Sequence, residues 1–68
     1  MASMTIYEQS IVELLIGNDR KRFDHQLSSM FQNKFINEGD LSKKFEEAIQ
    51  SLLSNGVIAY ENNMITLL

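Results

Sequence analysis

The feature that most restricts the fold of this 68-residue chain is a change of hydrophobic period at Asn55-Gly56. Before this pair, apolar residues recur at the spacing of one helical face: Leu41, Phe45, Ala48, Ile49, Leu52 and Leu53. After it, residues 57–60 and 64–68 have the pattern of extended strands, joined by Asn62-Asn63, and asparagine tolerates the positive φ of a tight turn. Since glycine favours the left-handed conformation that ends a helix, the pattern predicts a helix that leads directly into a β-hairpin.

A first helix is predicted near the start of the chain, because Thr5 and Glu8 have the spacing of a capping box. Its core face holds apolar residues at helical spacing: Tyr7, Ile11, Leu14 and Leu15, widened by Val12 and Ile16. Gly17 is predicted to end this helix in the left-handed conformation.

A second helix is predicted after the basic run at residues 20–22, with Asp24 as its N-cap. Phe23, just before it, has the position of a short first strand. The apolar residues of this helix recur at helical spacing: Leu27, Met30, Phe31 and Phe35. Residues 37–40 have the composition of a turn, and Asp40 is predicted to cap the third helix.

Three helices followed by a C-terminal hairpin have the element order of a winged helix. The sequence therefore predicts an α+β fold in which the hairpin forms the wing. A length of 68 residues corresponds to one domain. We assign this domain to residues 5–68 and interpret residues 1–4 as an added or disordered start. The alternative fold is another small α+β bundle with a C-terminal hairpin.

The composition favours a binding module over an enzyme. The chain has 9 acidic residues, 6 basic residues, a net charge of −3 and no cysteine, so disulfides and thiolate metal sites are excluded. The single histidine, His25, lacks a second metal ligand one turn on, where Ser28 and Ser29 stand, and we expect it to face solvent. No apolar run approaches the ~20 residues of a membrane span. We expect no catalytic residue, metal, cofactor or membrane partner.

DNA binding is the function that a winged helix first suggests, and it would place the third helix in the major groove. Lys43 and Lys44 at the start of this helix could contact phosphates, whereas Glu46 and Glu47 would repel them. The wing tip at residues 61–63 has no basic residue. We therefore do not expect nucleic acid as the partner. The candidate partner-binding residues are Lys43, Lys44, Glu46, Glu47, Gln50 and Glu61.

Contacts with a partner are expected to be polar and guided by charge. No large apolar residue is expected to stay exposed on the turn between the first two helices, on the outer side of the third helix, or on the wing. A second interpretation of the same charges is that Lys43 pairs with Glu46 and Glu47, one helical turn away, and that these residues only satisfy each other in solvent.

Residues 7–68 resemble the C-terminal winged-helix domain of the cullins. The matching segments are Ile11-Val12-Glu13-Leu14-Leu15-Ile16 and Ile49-Gln50-Ser51-Leu52-Leu53, the latter followed by Val57-Ile58. The lysine to which cullins attach a ubiquitin-like modifier corresponds here to Ile16, and the basic stretch before the second segment corresponds to Glu46-Glu47-Ala48. These departures make the chain most similar to the cullin-like subunit of the anaphase-promoting complex, whose terminal domain lacks the modifiable lysine.

The resemblance implies a non-catalytic role in a ubiquitin-ligase scaffold of the nucleus and cytoplasm. The domain would help to position a RING subunit and a ubiquitin-conjugating enzyme in cell-cycle ubiquitination. The alternative function, from a different class, is a small stand-alone winged-helix transcriptional regulator that binds DNA, of the viral or plasmid type. Residues 1–3, which look like added sequence, would favour a fragment of a longer scaffold.

Overall fold

The computed structural model describes residues 4–68, which form three helices and three strands. In chain order these elements are α1 (Ile6–Ile16), β1 (Lys21–Phe23), α2 (Asp24–Lys34), α3 (Leu41–Ser54), β2 (Ile58–Glu61) and β3 (Met64–Leu67). The predicted α+β class is confirmed, and the element order is compatible with a winged-helix-like layout. The expected added or disordered start falls mainly on residues 1–3, which lie outside the described residues.

The strands form one antiparallel sheet in the order β1-β3-β2. In the central strand β3, Ile65 lies opposite Arg22 of β1 and Tyr60 of β2. Since directly opposed residues project to the same face of a sheet, these three side chains share the face on which Ile65 is fully buried. The prediction of a short first strand at Phe23 is confirmed.

The core lies between this sheet face and the three helices. Phe31 of α2 is fully buried and packs against Tyr7 of α1 and Phe45 of α3, at 6.0 and 5.2 Å between ring centroids. It therefore connects all three helices. The predicted core stripe of α3 is confirmed at its centre, where Ile49 is 7% exposed and Leu52 is fully buried. The other core residues are Ile11, Leu15, Leu27, Ala48, Ile58 and Ile65.

Helix α1 begins with the predicted capping box. The Thr5 hydroxyl accepts the Glu8 backbone N–H at 3.1 Å, and the Glu8 carboxylate accepts the Thr5 backbone N–H at 3.0 Å. The predicted core position of Ile16 is wrong, because this side chain is 60% exposed. It follows the buried Leu15 at about 100° around the helix axis, and therefore points away from the core.

The prediction that α1 ends at Gly17 in the left-handed conformation is also wrong. Gly17 has a φ of −71° and stays right-handed, and its N–H donates to the Glu13 carbonyl. The left-handed residues come later, at Asp19 with a φ of 60° and Arg20 with a φ of 68°. This later turn directs the chain into β1, where the pairing with β3 fixes its course.

The starts of α2 and α3 differ from the prediction in detail. The N-cap of α2 is Phe23, and Asp24 is already helical, because β1 runs directly into the helix. The Asp24 backbone N–H donates to the Asn63 carbonyl in the hairpin at 2.9 Å. Asp40 does occupy the N-cap position of α3, but it has a φ of 55° and its side chain makes no capping hydrogen bond.

The hairpin follows α3 as predicted. Gly56 has a φ of 71°, which is the left-handed conformation expected after the helix. Asn62 and Asn63 have φ values of 53° and 63°, as a two-residue turn of type I′ requires. None of the helices within residues 4–68 combines the length and hydrophobicity needed to cross a membrane.

Candidate functional site

Two open grooves flank α3. The hairpin groove, of about 470 Å³, lies between α3 and the sheet. The N-terminal groove, of about 410 Å³, lies between α3 and the start of α1. Since consecutive residues of a helix point about 100° apart, two neighbouring residues at the outer side of α3 can face different grooves. Glu46 lines the hairpin groove and Glu47 lines the N-terminal groove.

The hairpin groove has an apolar floor and a polar rim. Ile49 of α3 and Ile65 of β3 are core residues that form its floor. Phe45 and Leu53, which are partly buried, extend this floor along α3. The rim carries Asp24, Glu46, Gln50 and Tyr60. Of the candidate residues, Glu46 and Gln50 are therefore together in one groove.

Tyr60 contradicts the expectation that no large apolar residue is exposed on the binding faces. It lies on β2, in the hairpin, and is 43% exposed, as is Phe23 in the connection between α1 and α2. The Tyr60 hydroxyl donates a hydrogen bond to the Asp24 carboxylate, and this bond raises the pKa of Tyr60. Strand alternation could have indicated that Tyr60 lies on the sheet face that packs on the helices. Ile58, two residues before it, lies on the same face and is buried.

The N-terminal groove contains the buried carboxylate of Glu8, which is 7% exposed. One of its oxygens accepts the Thr5 backbone N–H, and the other accepts the Ser51 hydroxyl of α3 at 3.0 Å. The hydrogen bond from the Thr5 backbone is the main cause of the lowered pKa of Glu8. Glu8 therefore ties the first turn of α1 to α3, a role beyond the capping box that the sequence predicted.

Lys44, on the same side of α3, is bound within the domain. Its Nζ lies 3.1 Å from a Glu38 carboxylate oxygen and 5.2 Å from the ring centre of Tyr7. The Tyr7 hydroxyl donates to the same Glu38 oxygen at 2.5 Å. Both bonds lower the pKa of Glu38, and the hydrogen bond from Tyr7 has the larger effect. The hydrogen bond to Glu38 in turn raises the pKa of Lys44.

The pairs of Lys43 with Glu46 and Glu47, which the second interpretation of these charges predicts, are not formed. Of the two lysines of α3, Lys44 forms an ion pair within residues 4–68 and Lys43 does not. The partner of Lys44 is Glu38, which lies in the turn before the helix. Lys44 reaches back toward α1, whereas Lys43 faces outward and is exposed. The charged residues on the outer side of α3 are thus Lys43, Glu46 and Glu47, and Glu61 is exposed at the end of β2.

The remaining basic residues are Arg20, Lys21, Arg22 and Lys34. Lys21 is exposed on β1, and the other three contact groups outside α3. Arg20 donates to the Leu68 carbonyl at 2.7 Å, and Arg22 donates to the Leu14 carbonyl at 2.9 Å. Lys34 pairs with Glu13 at 3.3 Å. These contacts leave no basic cluster beside the outer side of α3.

His25 faces solvent, as predicted, with a side chain that is 77% exposed. Its ring stacks on Phe23 at 5.9 Å between centroids, a contact that the sequence pattern does not predict. Nδ1 lies 4.0 Å from the Asp24 carboxylate. In the part of the chain that the structure describes, no cluster of three or more histidine, aspartate or glutamate side chains could hold a metal ion.

Comparison of the chain with protein-family models, with curated proteins and with solved structures found no match.

Proposed function

We propose that this chain is a non-catalytic winged-helix domain whose role is to bind another protein. The winged-helix assignment is supported by the position of α3 directly before the β2-β3 hairpin. It is also supported by the pairing of β1 with β3, which joins an early segment of the chain to the hairpin. The hairpin then serves as the wing, with Asn62-Asn63 at its tip.

The observation that carries the protein-binding role is the composition of the hairpin groove. Its floor is apolar, and its lining includes the carboxylates of Asp24 and Glu46 but no basic residue. In DNA recognition by a winged helix, α3 and the wing would approach phosphates, which these carboxylates repel. An apolar centre within a polar rim is instead the usual anatomy of a protein interface.

The outer side of α3 supports the same conclusion. Lys44 is paired with Glu38, so of the two lysines of α3 only Lys43 takes no part in the ion pairs found within residues 4–68. Specific DNA binding takes much of its affinity from several phosphate contacts, and a single lysine next to Glu46 and Glu47 does not supply them.

More specifically, we propose that the domain serves in a cullin-type ubiquitin-ligase scaffold, beside a RING subunit and a ubiquitin-conjugating enzyme. The support is the apolar pattern shared with that family, whose main residues here are Ile11, Leu15, Ile49 and Leu52. All four are core residues. Because core residues specify packing, they support the fold of that family, and the choice of partner has to be tested on surface residues.

A capture experiment tests the protein-binding role. The immobilised domain is mixed with purified ubiquitin-conjugating enzymes and a RING subunit, and in a parallel titration with duplex DNA of mixed sequence. We expect a conjugating enzyme or the RING subunit to be retained. We expect DNA association to be weak and to disappear between about 50 and 200 mM salt, because counterion release is its main driving force.

Two results would change the proposal in different ways. A sequence-selective DNA complex that survives physiological salt would contradict it and favour the transcriptional regulator. Retention of neither the RING subunit nor any conjugating enzyme, with DNA binding also absent, would contradict the ubiquitin-ligase role alone.

A further inference from the structure

The hairpin groove has an uneven charge distribution that restricts what can occupy it. Its titratable lining groups are Asp24, Glu46 and Tyr60. The Asp24 carboxylate already accepts the Tyr60 hydroxyl. The Glu46 carboxylate is exposed and takes part in no hydrogen bond or ion pair found within residues 4–68. The groove therefore presents two carboxylates beside an apolar floor, and of these Glu46 has no hydrogen-bond or ion-pair partner within residues 4–68.

The charges just outside the groove reinforce this asymmetry. On α3, the neighbouring ionisable groups are Lys43, one turn before Glu46, and Glu47, which faces the other groove. On β2, Glu61 is exposed next to Tyr60, and on α2, His25 is exposed next to Asp24. Carboxylates thus outnumber bases around the groove, in a chain whose net charge is −3.

The shape of the groove suits a polypeptide. Pockets for small molecules enclose most of the ligand and hold it with several convergent polar groups. Here the uncommitted polar side chains, Glu46 and Gln50, both stand on the α3 wall of an open groove. An amphipathic helix can lay apolar side chains on such a floor and place a charged residue at its edge.

We propose that the hairpin groove binds a segment of a partner protein that carries apolar anchor residues and a lysine or arginine, with the basic residue opposite Glu46. This inference rests on the proposed protein-binding function and names the chemistry of the partner. The anchors contact Phe45, Ile49 and Leu53, and the basic side chain meets the Glu46 carboxylate, with Gln50 as a second hydrogen-bonding group.

Two model peptides test the inference. The first is a fluorescent leucine–lysine amphipathic peptide of about four helical turns, and the second has glutamate at every lysine position. Fluorescence anisotropy gives the affinity, and amide chemical shifts of the isotope-labelled domain locate the site. We expect the lysine peptide to bind, with shifts at Ile49, Gln50 and Tyr60, and the glutamate peptide to bind more weakly.

The adjacent residues Glu46 and Glu47 provide a matched pair of variants. Glu46→Lys and Glu47→Lys change the net charge by the same amount, both side chains are exposed, and only Glu46 lines the hairpin groove. A rim ion pair contributes about 0.2–1 kcal/mol. Replacing it by repulsion should therefore weaken lysine-peptide binding by about threefold or more for Glu46→Lys, and much less for Glu47→Lys.

Several outcomes would overturn the inference. Equal weakening by both variants would show that the peptide responds to net charge only. Equal affinity for the two peptides would remove the role of Glu46. Concentration-dependent shifts at the groove without peptide would identify a second copy of the chain as the occupant. If the peptides avoid this groove while a protein partner is still captured elsewhere, the inference fails and the proposed function stands.

Discussion

Removal of the Glu8 carboxylate should destabilise the domain by more than the loss of an ordinary surface acid. Glu8 accepts two hydrogen bonds, from the Thr5 backbone N–H and from the Ser51 hydroxyl, each at 3.0 Å. A hydrogen bond contributes about 0.5–1.5 kcal/mol net, and somewhat more when one partner is charged. Since Thr5 is exposed and Ser51 is partly exposed, water can replace the lost acceptor, and no large desolvation penalty is added.

We therefore expect Glu8→Ala to lower the free energy of unfolding by about 2 kcal/mol. This is a large share of the roughly 3–10 kcal/mol typical of a domain of this size, and corresponds to a fall in Tm of about 10 °C. The assay is urea and thermal unfolding followed by circular dichroism. Ser51→Ala and the double variant complete a cycle, in which the coupling between Glu8 and Ser51 should be about 1 kcal/mol.

The pH dependence provides an independent check. Because the folded-state pKa of Glu8 is lowered from 4.5, its contribution is fully present above the unfolded pKa and is lost as the pH falls through the folded value. The stability difference between the parent and Glu8→Ala should thus be larger at neutral pH than in acid below the folded pKa. Additive effects of the two single variants, or a difference that does not shrink in acid, would refute the reasoning.

Three further predictions concern the core and the two sides of α3. Ile49→Ala should cost about 2–5 kcal/mol of stability, as expected for truncation of a buried aliphatic side chain, and an unchanged Tm would show that α3 is not the central core helix. Lys44→Glu should lower the Tm, since it places a carboxylate next to Glu38, whereas Lys43→Glu should leave it nearly unchanged; equal effects would contradict the contact of Lys44 with Glu38. Asp24→Asn should lower the pKa of Tyr60, measured by NMR titration of its ring, because the hydrogen bond to Asp24 is the main cause of the raised value, and an unchanged pKa would argue against that bond.

The features that the sequence predicted well are those determined within a few residues. The capping box of Thr5 and Glu8 requires a spacing of three. The turn at Asn62-Asn63 depends on residues that tolerate positive φ, and Gly56 ends α3 for the same reason. In each case the local chemistry and the surrounding fold favour the same conformation.

Local rules failed where the fold imposed a different path. Gly17 could have adopted a left-handed conformation, but the chain turns at Asp19 and Arg20 because β1 has to reach β3. Asp40 has the correct position for a cap, but its backbone is left-handed and its side chain makes no hydrogen bond to the helix. These backbone conformations are determined by tertiary structure and cannot be predicted from the local sequence.

The contacts that shape the two grooves join residues far apart in the chain. Glu8 and Ser51 are separated by 43 positions, and Tyr60 and Asp24 by 36. A single sequence gives the identity of such residues but not their pairing. The sequence indicates the candidates Glu46 and Gln50, because outward positions on a helix follow from its period. The groove that they line with Tyr60 depends in addition on the position of the sheet.

The division of α3 into sectors leaves few side chains free for the proposed recognition of a partner. At about 100° per residue, Leu52 points into the core, Phe45, Ile49 and Leu53 line the hairpin groove, and Lys44 and Ser51 line the N-terminal groove. The outer sector left to a partner holds Lys43, Glu46, Glu47, Gln50 and Ser54, whose three charged residues have a net charge of −1. Because a small domain buries a smaller part of its surface than a large one, Phe45 and Leu53 in the hairpin groove stay partly accessible. An apolar contact made specific by Glu46 is therefore better supported by this helix than binding through cations.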